Sequence, residues 1–493
     1  MLRRICALLA SLGALALLLA VFAVGCASNH TSATSPASPA GPGGGGGTGG
    51  GGGSGGGGGT GGGGGTGGGG GGTGGGGGTG GGGGTGGGGG TGGGGGTGSG
   101  GGSGSGGGSG SGSTTATAAY VYVIERTANS APNQVAAYTA DANGQLTPVA
   151  GSPFNDNISS MATNGTFLMG AVPSGATNPP NPPAYINAYK IASDGSLSLS
   201  TQTNLDQFGT KCVDGGTPYF DRSGQSLYVL EDNFDCTGTG DAGNNGVASF
   251  SVDATTGALS YIGGVNIGRF GDIITDSGGI DFIADNAFAY AVSNDSCMYY
   301  SIYGFARGSN GMLNFIPNFN GEFSPTPPPS YGRYIPLISA VDSGNHVAFA
   351  FAPANPPGCS TPIQLATYTA NADGSLTTTD TYATMPSTSI TSPFDMKISP
   401  SGTLLAIAGQ QGLQVFHFNG AKPITTYTGL LTTDIIWRVF WDNSSHLYAI
   451  TYGAGTNPGK LYVFTVTDTT ATQAPGSPYS IEIPFDLAVQ SAK

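Results

Sequence analysis

Histidine, tryptophan and basic residues are scarce in this chain. Of 493 residues only four are His, two are Trp and 14 are Lys or Arg, against 27 Asp and Glu. So few imidazoles leave little for chemistry that needs a general base near neutral pH. Beyond residue 113, 12 Lys and Arg face all 27 acidic residues, a net charge of −15. A field of that sign argues against nucleic acid or an anionic lipid surface as a partner of the folded part. The four cysteines beyond residue 113 form no Cys-x-x-Cys pair and have no nearby His, which disfavours a zinc site. Side chains themselves are missing from residues 41–113, where 57 of 73 positions are Gly. Such a tract cannot offset the entropy of ordering, so it reads as a disordered linker with an end-to-end distance of roughly 45–50 Å. Residues 114–493 hold nearly all the aromatics and suffice for a sizeable core.

The N-terminus carries an address. Arg3 and Arg4 precede an uncharged run from Ile5 to Gly25 that ends Ala23-Val24-Gly25-Cys26, the make-up of a secretory signal. A Cys directly after small residues resembles the lipobox of bacterial lipoproteins, with Ala23 where Leu is usual. The resemblance implies that residues 1–25 are a signal peptide, that Cys26 is lipidated and that 26–40 is an anchor region. Because Ala27 is not Asp, it also implies the outer membrane or cell surface. The alternative is an uncleaved membrane helix, since 21 uncharged residues can span a bilayer. Either way the remainder is extracytoplasmic.

A repeat runs through residues 114–493. An apolar strand recurs seven times: Tyr120–Glu125, Phe167–Val172, Leu227–Asp232, Phe288–Ser293, Val347–Ala352, Leu404–Gly409 and Leu447–Tyr452. A second strand follows each, with one aromatic in register: Tyr138, Tyr189, Phe250, Phe305, Tyr368, Phe416 and Phe464. In five copies a Leu comes eight or nine residues later across a Gly turn: Leu146, Leu197, Leu259, Leu313 and Leu376. Turns such as Asn143-Gly144 and Asp194-Gly195 tolerate positive φ and suit hairpins. Another strand precedes each unit, at Ile158–Asn164, Thr217–Ser223, Ile280–Asn286, Leu337–Ser343, Phe394–Ser401 and Trp437–Ser444. Its seventh copy is Phe485–Ala492, at the very end, while the first unit lacks one. The pattern predicts an all-β, seven-bladed β-propeller closed by the C-terminal strand beside Tyr120–Glu125, behind a disordered Gly-rich tether.

The strand rhythm of Tyr120-Val121-Tyr122-Val123 and Ala137-Tyr138-Thr139-Ala140-Asp141, with its Gly-x-Leu turns, resembles the lactonase-type seven-bladed propellers, relatives of the propeller-form 6-phosphogluconolactonase. Members of that family often carry a Pro-His pair at the start of the innermost strand. The matching places here are Pro218-Tyr219, Pro393-Phe394 and Pro484-Phe485, where aromatic carbon replaces imidazole. Lactone opening would then fall to carboxylates, with Asp395 and Asp486 as candidates, each after a Phe at a strand start. Asp214, Asp272 and Asp434 are candidate oxygen ligands for a cation around the channel mouth. The plainer role for all five is to bond strand-end backbone amides.

Long loops fall on one face of such a propeller, where binding sites usually sit. The four cysteines of the domain lie in them. Cys212 and Cys236 flank one blade, Cys297 and Cys359 occupy equivalent loops of neighbouring blades, and two disulfides are expected in an oxidising compartment. Asp232, Asp235 and Asp241 with Asn244 and Asn245 make the most acidic loop, without EF-hand spacing. Trp437, Arg438 and Trp441 share one innermost strand, and both Trp read as core. The overall expectation is an envelope-anchored lipoprotein that presents a binding scaffold for a small molecule, glycan or protein, with no cofactor. The alternatives are a sugar-lactone hydrolase and a purely structural envelope protein.

Overall fold

The computed structural model describes residues 116–492, except 129–130, 173–183, 206–215, 232–244, 269–278, 284, 296–298, 318, 320–324, 356–357 and 453–457. The signal and lipidation site at Cys26, the glycine tract, Cys212, Cys236, Cys297, Asp214, Asp272 and the acidic loop through Asn244 therefore lie outside the described residues.

Among the described residues thirty strands form seven antiparallel sheets, and no α-helix occurs. Each sheet is one blade. The innermost strands are Ile483–Ser491 in blade 1, Ser160–Thr163 in blade 2, Pro218–Phe220 in blade 3, Asp281–Phe282 in blade 4, Arg333–Val341 in blade 5, Pro393–Ile398 in blade 6 and Ile436–Trp441 in blade 7. The next strands outward carry the seven apolar repeats. They are buried on both faces because each blade is covered by two neighbours, so Leu404–Gly409 and His446–Thr451 are buried at every position. The aromatics of the third strands occupy one register: Tyr138 opposes Val121, Tyr189 Leu168, Phe250 Leu227, Phe416 Leu405 and Phe464 Leu447. Leu146, Leu197, Leu259, Leu313 and Leu376 each begin an outermost strand.

The C-terminal strand closes the ring. Tyr120 opposes Gln490, Val121 opposes Val489 and Val123 opposes Leu487 in an antiparallel ladder with Thr117–Arg126. Packing follows the same circle, with seven clusters of buried side chains at the seven junctions between blades. Alternation along Thr117–Arg126 divides its side chains between two of them. Ala119, Val121 and Val123 join Leu487, Val489, Tyr448 and Ile450 at the junction with blade 7, whereas Tyr122 and Ile124 face Leu168 and Tyr189 of blade 2.

Tyrosine hydroxyls tie successive blades. Tyr122 donates to the carbonyl of Gly195 at 3.0 Å, Tyr228 to that of Gly311 at 2.6 Å and Tyr290 to that of Gly374 at 2.8 Å. Gly195 and Gly374 have φ of +84° and +81°. A Cβ at either would lie 2.5 Å from the Tyr120 ring or 2.7 Å from the Phe288 ring, so the turns need Gly for conformation and for close approach. The joints Gly151-Ser152-Pro153-Phe154 and Gly476-Ser477-Pro478-Tyr479 also match: Ser152 Oγ accepts from the Ala137 amide at 2.8 Å and Ser477 Oγ from the Val463 amide at 2.9 Å.

Candidate functional site: a charged channel with an aromatic mouth

Each innermost strand begins at the end where the next strand of its blade finishes: Ile483 lies opposite Arg126, Pro393 opposite Gly409 and Ile436 opposite Thr451. The loops expected to be long leave from this end. Here the ladders of blades 1, 6 and 7 slip by one residue, leaving Phe485, Phe394 and Trp437 as the extra residues of β-bulges. The next positions, Asp486, Asp395 and Arg438, are then equivalent: they oppose Ile124, Ala408 and Ile450 in the second strands. All three line a cavity of about 250 Å³ along the channel, together with Asp281 and Lys397. Tyr219, Phe220 and Phe440 supply much of its apolar wall.

An innermost strand has no further strand to pair its channel edge, so its amides need other acceptors. Asp395, 2% exposed, accepts the Val439 N–H of the neighbouring blade and the Met396 N–H, each at 2.9 Å. Asp486 repeats the arrangement two blades on, accepting from Met161 at 2.8 Å and from Leu487 at 2.9 Å. Each also has a cation: Lys397 Nζ is 3.0 Å from Asp395 Oδ1, and Arg438 Nε is 3.5 Å from Asp486 Oδ1. Burial raises the Asp486 carboxyl above its ordinary value, against Arg438 and the two amides. Burial works against the charge on Lys397, but Asp395 and Asp281 more than offset it and its pKa is raised. Both candidate catalytic aspartates thus sit in the channel, and both are engaged by amides and a cation.

Asp281 differs. Its one hydrogen bond among the described residues comes from Ser339 of blade 5, to Oδ2 at 2.7 Å. Desolvation pushes it up to about 6, helped by Asp395 and opposed by Lys397, Ser339 and Arg222. A carboxyl held near 6 changes charge close to neutral pH. Sequence reasoning missed it and Lys397. Lining up the seven innermost strands would have exposed them, since alternation puts Lys397 two residues after Asp395, on the same side of the strand.

Asp434 takes no place in this cluster. Its Oδ2 accepts from Lys460 Nζ and the Tyr462 hydroxyl, both at 2.7 Å, and these two bonds lower its pKa. No group of three or more His, Cys, Asp or Glu suited to a metal occurs among the described residues. The strand-entry histidines are committed locally. His446 Nδ1 lies 2.7 Å from Asp442 Oδ2, His346 Nδ1 lies 2.7 Å from Asp342 Oδ2, and His417 stacks on Tyr427 with centroids 4.3 Å apart.

The two tryptophans part company. Trp441 is 5% exposed, packs between blades 6 and 7 and donates Nε1–H to the Lys397 carbonyl at 3.1 Å, as expected of core. Trp437 does not belong to the core. The bulge turns it out at the channel mouth, where it is half-buried between Phe394 and Tyr452, with centroids 5.1 and 5.0 Å away. Arg438 lies over its ring at 5.2 Å, and Arg126 over that of Phe485 at 4.2 Å.

Seven sheets around a channel, closed by the C-terminal strand, give the fold of the lactonase-type seven-bladed β-propellers. Among solved structures the chain is similar to the periplasmic gluconolactonase of Pseudomonas aeruginosa, with a TM-score of 0.53 and 13% identity over 76% of this chain and 100% of that one. A protein from Lactobacillus plantarum gives a TM-score of 0.52 and 12% identity over the same shares. At such identities the likeness is one of fold. No protein-family model and no curated protein sequence matches the chain.

Proposed function

We propose that the chain is a lipid-anchored envelope protein whose propeller binds a small polar ligand in the channel cavity beneath Trp437. The reading is carried by one observation: Asp281, Asp395, Lys397, Arg438 and Asp486, brought from four blades, meet in a single cavity. Asp395 and Asp486 also serve the fold through amides and cations, whereas Asp281 has one side-chain hydrogen bond, from Ser339, among the described residues. A concave site with a few convergent polar groups on an apolar wall is the usual form of a ligand pocket. The anchor rests on the basic start, the apolar run and Cys26, and the Gly-rich tether would hold the propeller clear of the lipid. We place two disulfides in the long loops, Cys212–Cys236 and Cys297–Cys359. Cys359, the one described cysteine, is disulfide-bonded, which supports a bridge at that loop. Calorimetric titration of the purified full-length protein with sugars, sugar acids and sugar lactones tests the binding site. Saturable binding lost in Arg438→Ala and altered in Asp281→Asn is expected. Binding by none, or binding indifferent to both changes, overturns the reading.

One observation favours hydrolysis of a lactone as a second reading. With its pKa near 6, Asp281 is largely ionised at pH 7 yet basic enough to take a proton from water. That water's oxygen would add to the lactone carbonyl, the ring C–O bond would break, and the leaving oxygen would take up a proton. The similar Pseudomonas aeruginosa protein is a gluconolactonase. Acid release from gluconolactone above the spontaneous rate, abolished in Asp281→Asn, would select this reading. An unchanged rate in that variant would remove it.

A further inference from the structure

We infer that the channel mouth of blades 6 and 7 is a glycan-binding shelf: a terminal sugar ring of an oligosaccharide enters the cavity, and the following ring stacks on Trp437. The inference rests on the binding reading above and names its ligand class and a specificity-determining residue. Phe394, Trp437 and Tyr452 form a continuous aromatic arc, joined at 5.1 and 5.0 Å, and Phe394 and Trp437 immediately precede the cavity-lining Asp395 and Arg438 in sequence. Tyr452 is 44% exposed and its neighbour Ile435 39%, two of the few large apolar side chains open to solvent. Arg438 links this apolar arc to the polar cavity, lying over the Trp437 ring and lining the cavity, and the pair suits an amphipathic ligand longer than the cavity. A pyranose chain is such a ligand, since its axial C–H groups form apolar faces attracted to the negative face of an aromatic ring. Its hydroxyls both donate and accept, which the mixed carboxylate and cation walls require: Asp281 accepts, and Lys397 and Arg438 donate. A cavity of about 250 Å³ has room for the terminal ring, and the second ring falls on the shelf. A purely apolar partner would further desolvate Asp281, whose one side-chain hydrogen bond among the described residues is from Ser339, and would offer it nothing in return.

Trp437 also supplies the assay, because the only other tryptophan, Trp441, is buried. The full-length protein is titrated with hexasaccharides of glucose, N-acetylglucosamine, mannose and xylose and with the matching monosaccharides, following tryptophan fluorescence and calorimetry. At least one hexasaccharide is expected to shift the Trp437 emission and to bind tenfold or more tighter than its monosaccharide. Trp437→Ala should remove that tenfold advantage, Trp437→Phe should keep part of it, and Tyr382→Ala, an exposed aromatic elsewhere, should keep it all. Circular dichroism and an unchanged unfolding midpoint establish that the variants fold. Glycan binding unaffected by Trp437→Ala overturns the shelf. If no saccharide binds while gluconate does so in an Arg438-dependent way, the glycan inference fails and the cavity reading stands. Capture of a protein at the arc, blocked by Trp437→Ala, with no saccharide binding also overturns it. If nothing binds, both fail.

Discussion

Replacing Asp281 with Asn should stabilise the protein, and only at pH values above the carboxyl's own range. The shape changes little, and Asn Oδ1 still accepts the Ser339 hydroxyl that now bonds Asp281 at 2.7 Å. What changes is charge. Asp281 is raised from 3.8 to about 6 in the fold, chiefly by desolvation, so the folded protein holds its proton more tightly than the unfolded chain does. Stability from that difference is complete below pH 4 and is lost as pH rises through 6. A shift of this size corresponds to about 3 kcal/mol, an upper figure for a partly exposed group. The Asn variant lacks the loss. It should match the parent below pH 4 and exceed it by about 2–3 kcal/mol at pH 8. For roughly 380 folded residues that amounts to about 3 °C in thermal midpoint. Calorimetric unfolding of both proteins at several pH values between 4 and 8 reads the effect. A variant less stable at pH 8, or equal to the parent throughout, would refute the reasoning that desolvation dominates at this site.

Three further outcomes follow from the geometry. Asp442 accepts the His446 and Ser444 amides, the His446 ring and the Tyr448 hydroxyl, all at 2.7–2.9 Å and all but the Ser444 bond buried. Asp442→Ala should cost about 3–5 kcal/mol in denaturant unfolding, because it strands these donors. His446 and the amides hold Asp442 below its ordinary value against burial, so its contribution is present above the usual carboxylate range and fades as pH falls through the folded value. A cost unchanged between pH 7 and pH 2 would count against this. Tyr228→Phe and Tyr290→Phe each remove one hydroxyl that bonds the next blade, at about 1 kcal/mol apiece and additively. Leu487→Ala on the closing strand, where Leu487 is 4% exposed, should cost about 2–5 kcal/mol, as a core Leu does in any other blade. A cost under 1 kcal/mol would mean that the last strand is loosely held.

The propeller was legible because each blade repeats the same small set of signals. A strand buried on both faces reads as a continuous apolar run, an aromatic in fixed register marks the third strand, and Gly turns separate the outer pair. Seven unequal loops hide the period but not the register, so Leu146, Leu197, Leu259, Leu313 and Leu376 fall at five strand starts. The spare strand at Phe485–Ala492 had to go somewhere, and an open edge beside Thr117–Arg126 was the place for it. The site was harder. Asp395 and Asp486 stand out as acidic residues after Phe at strand starts, but nothing local says that their oxygens are filled by Val439 and Met161 amides of other blades. Asp281 and Lys397 carry no motif and gain meaning only once four blades converge. Trp437 and Trp441 share a strand and differ by four residues, which on an unbroken ladder would put them on one face. The bulge at Trp437 breaks that parity, and a bulge leaves no mark in composition.

Closure of the ring is tested most directly by a cross-link between the two ends of the domain. Ala119 and Ser491 are small and oppose each other in the closing ladder, next to the bond from the Ala492 amide to the Ala118 carbonyl. With Ala119→Cys and Ser491→Cys, mild oxidation should join them within a single chain, identified by peptide mapping, and should raise the unfolding midpoint. Failure to link, linkage only between chains, or capture of residue 491 by a strand other than Thr117–Arg126 would contradict the account.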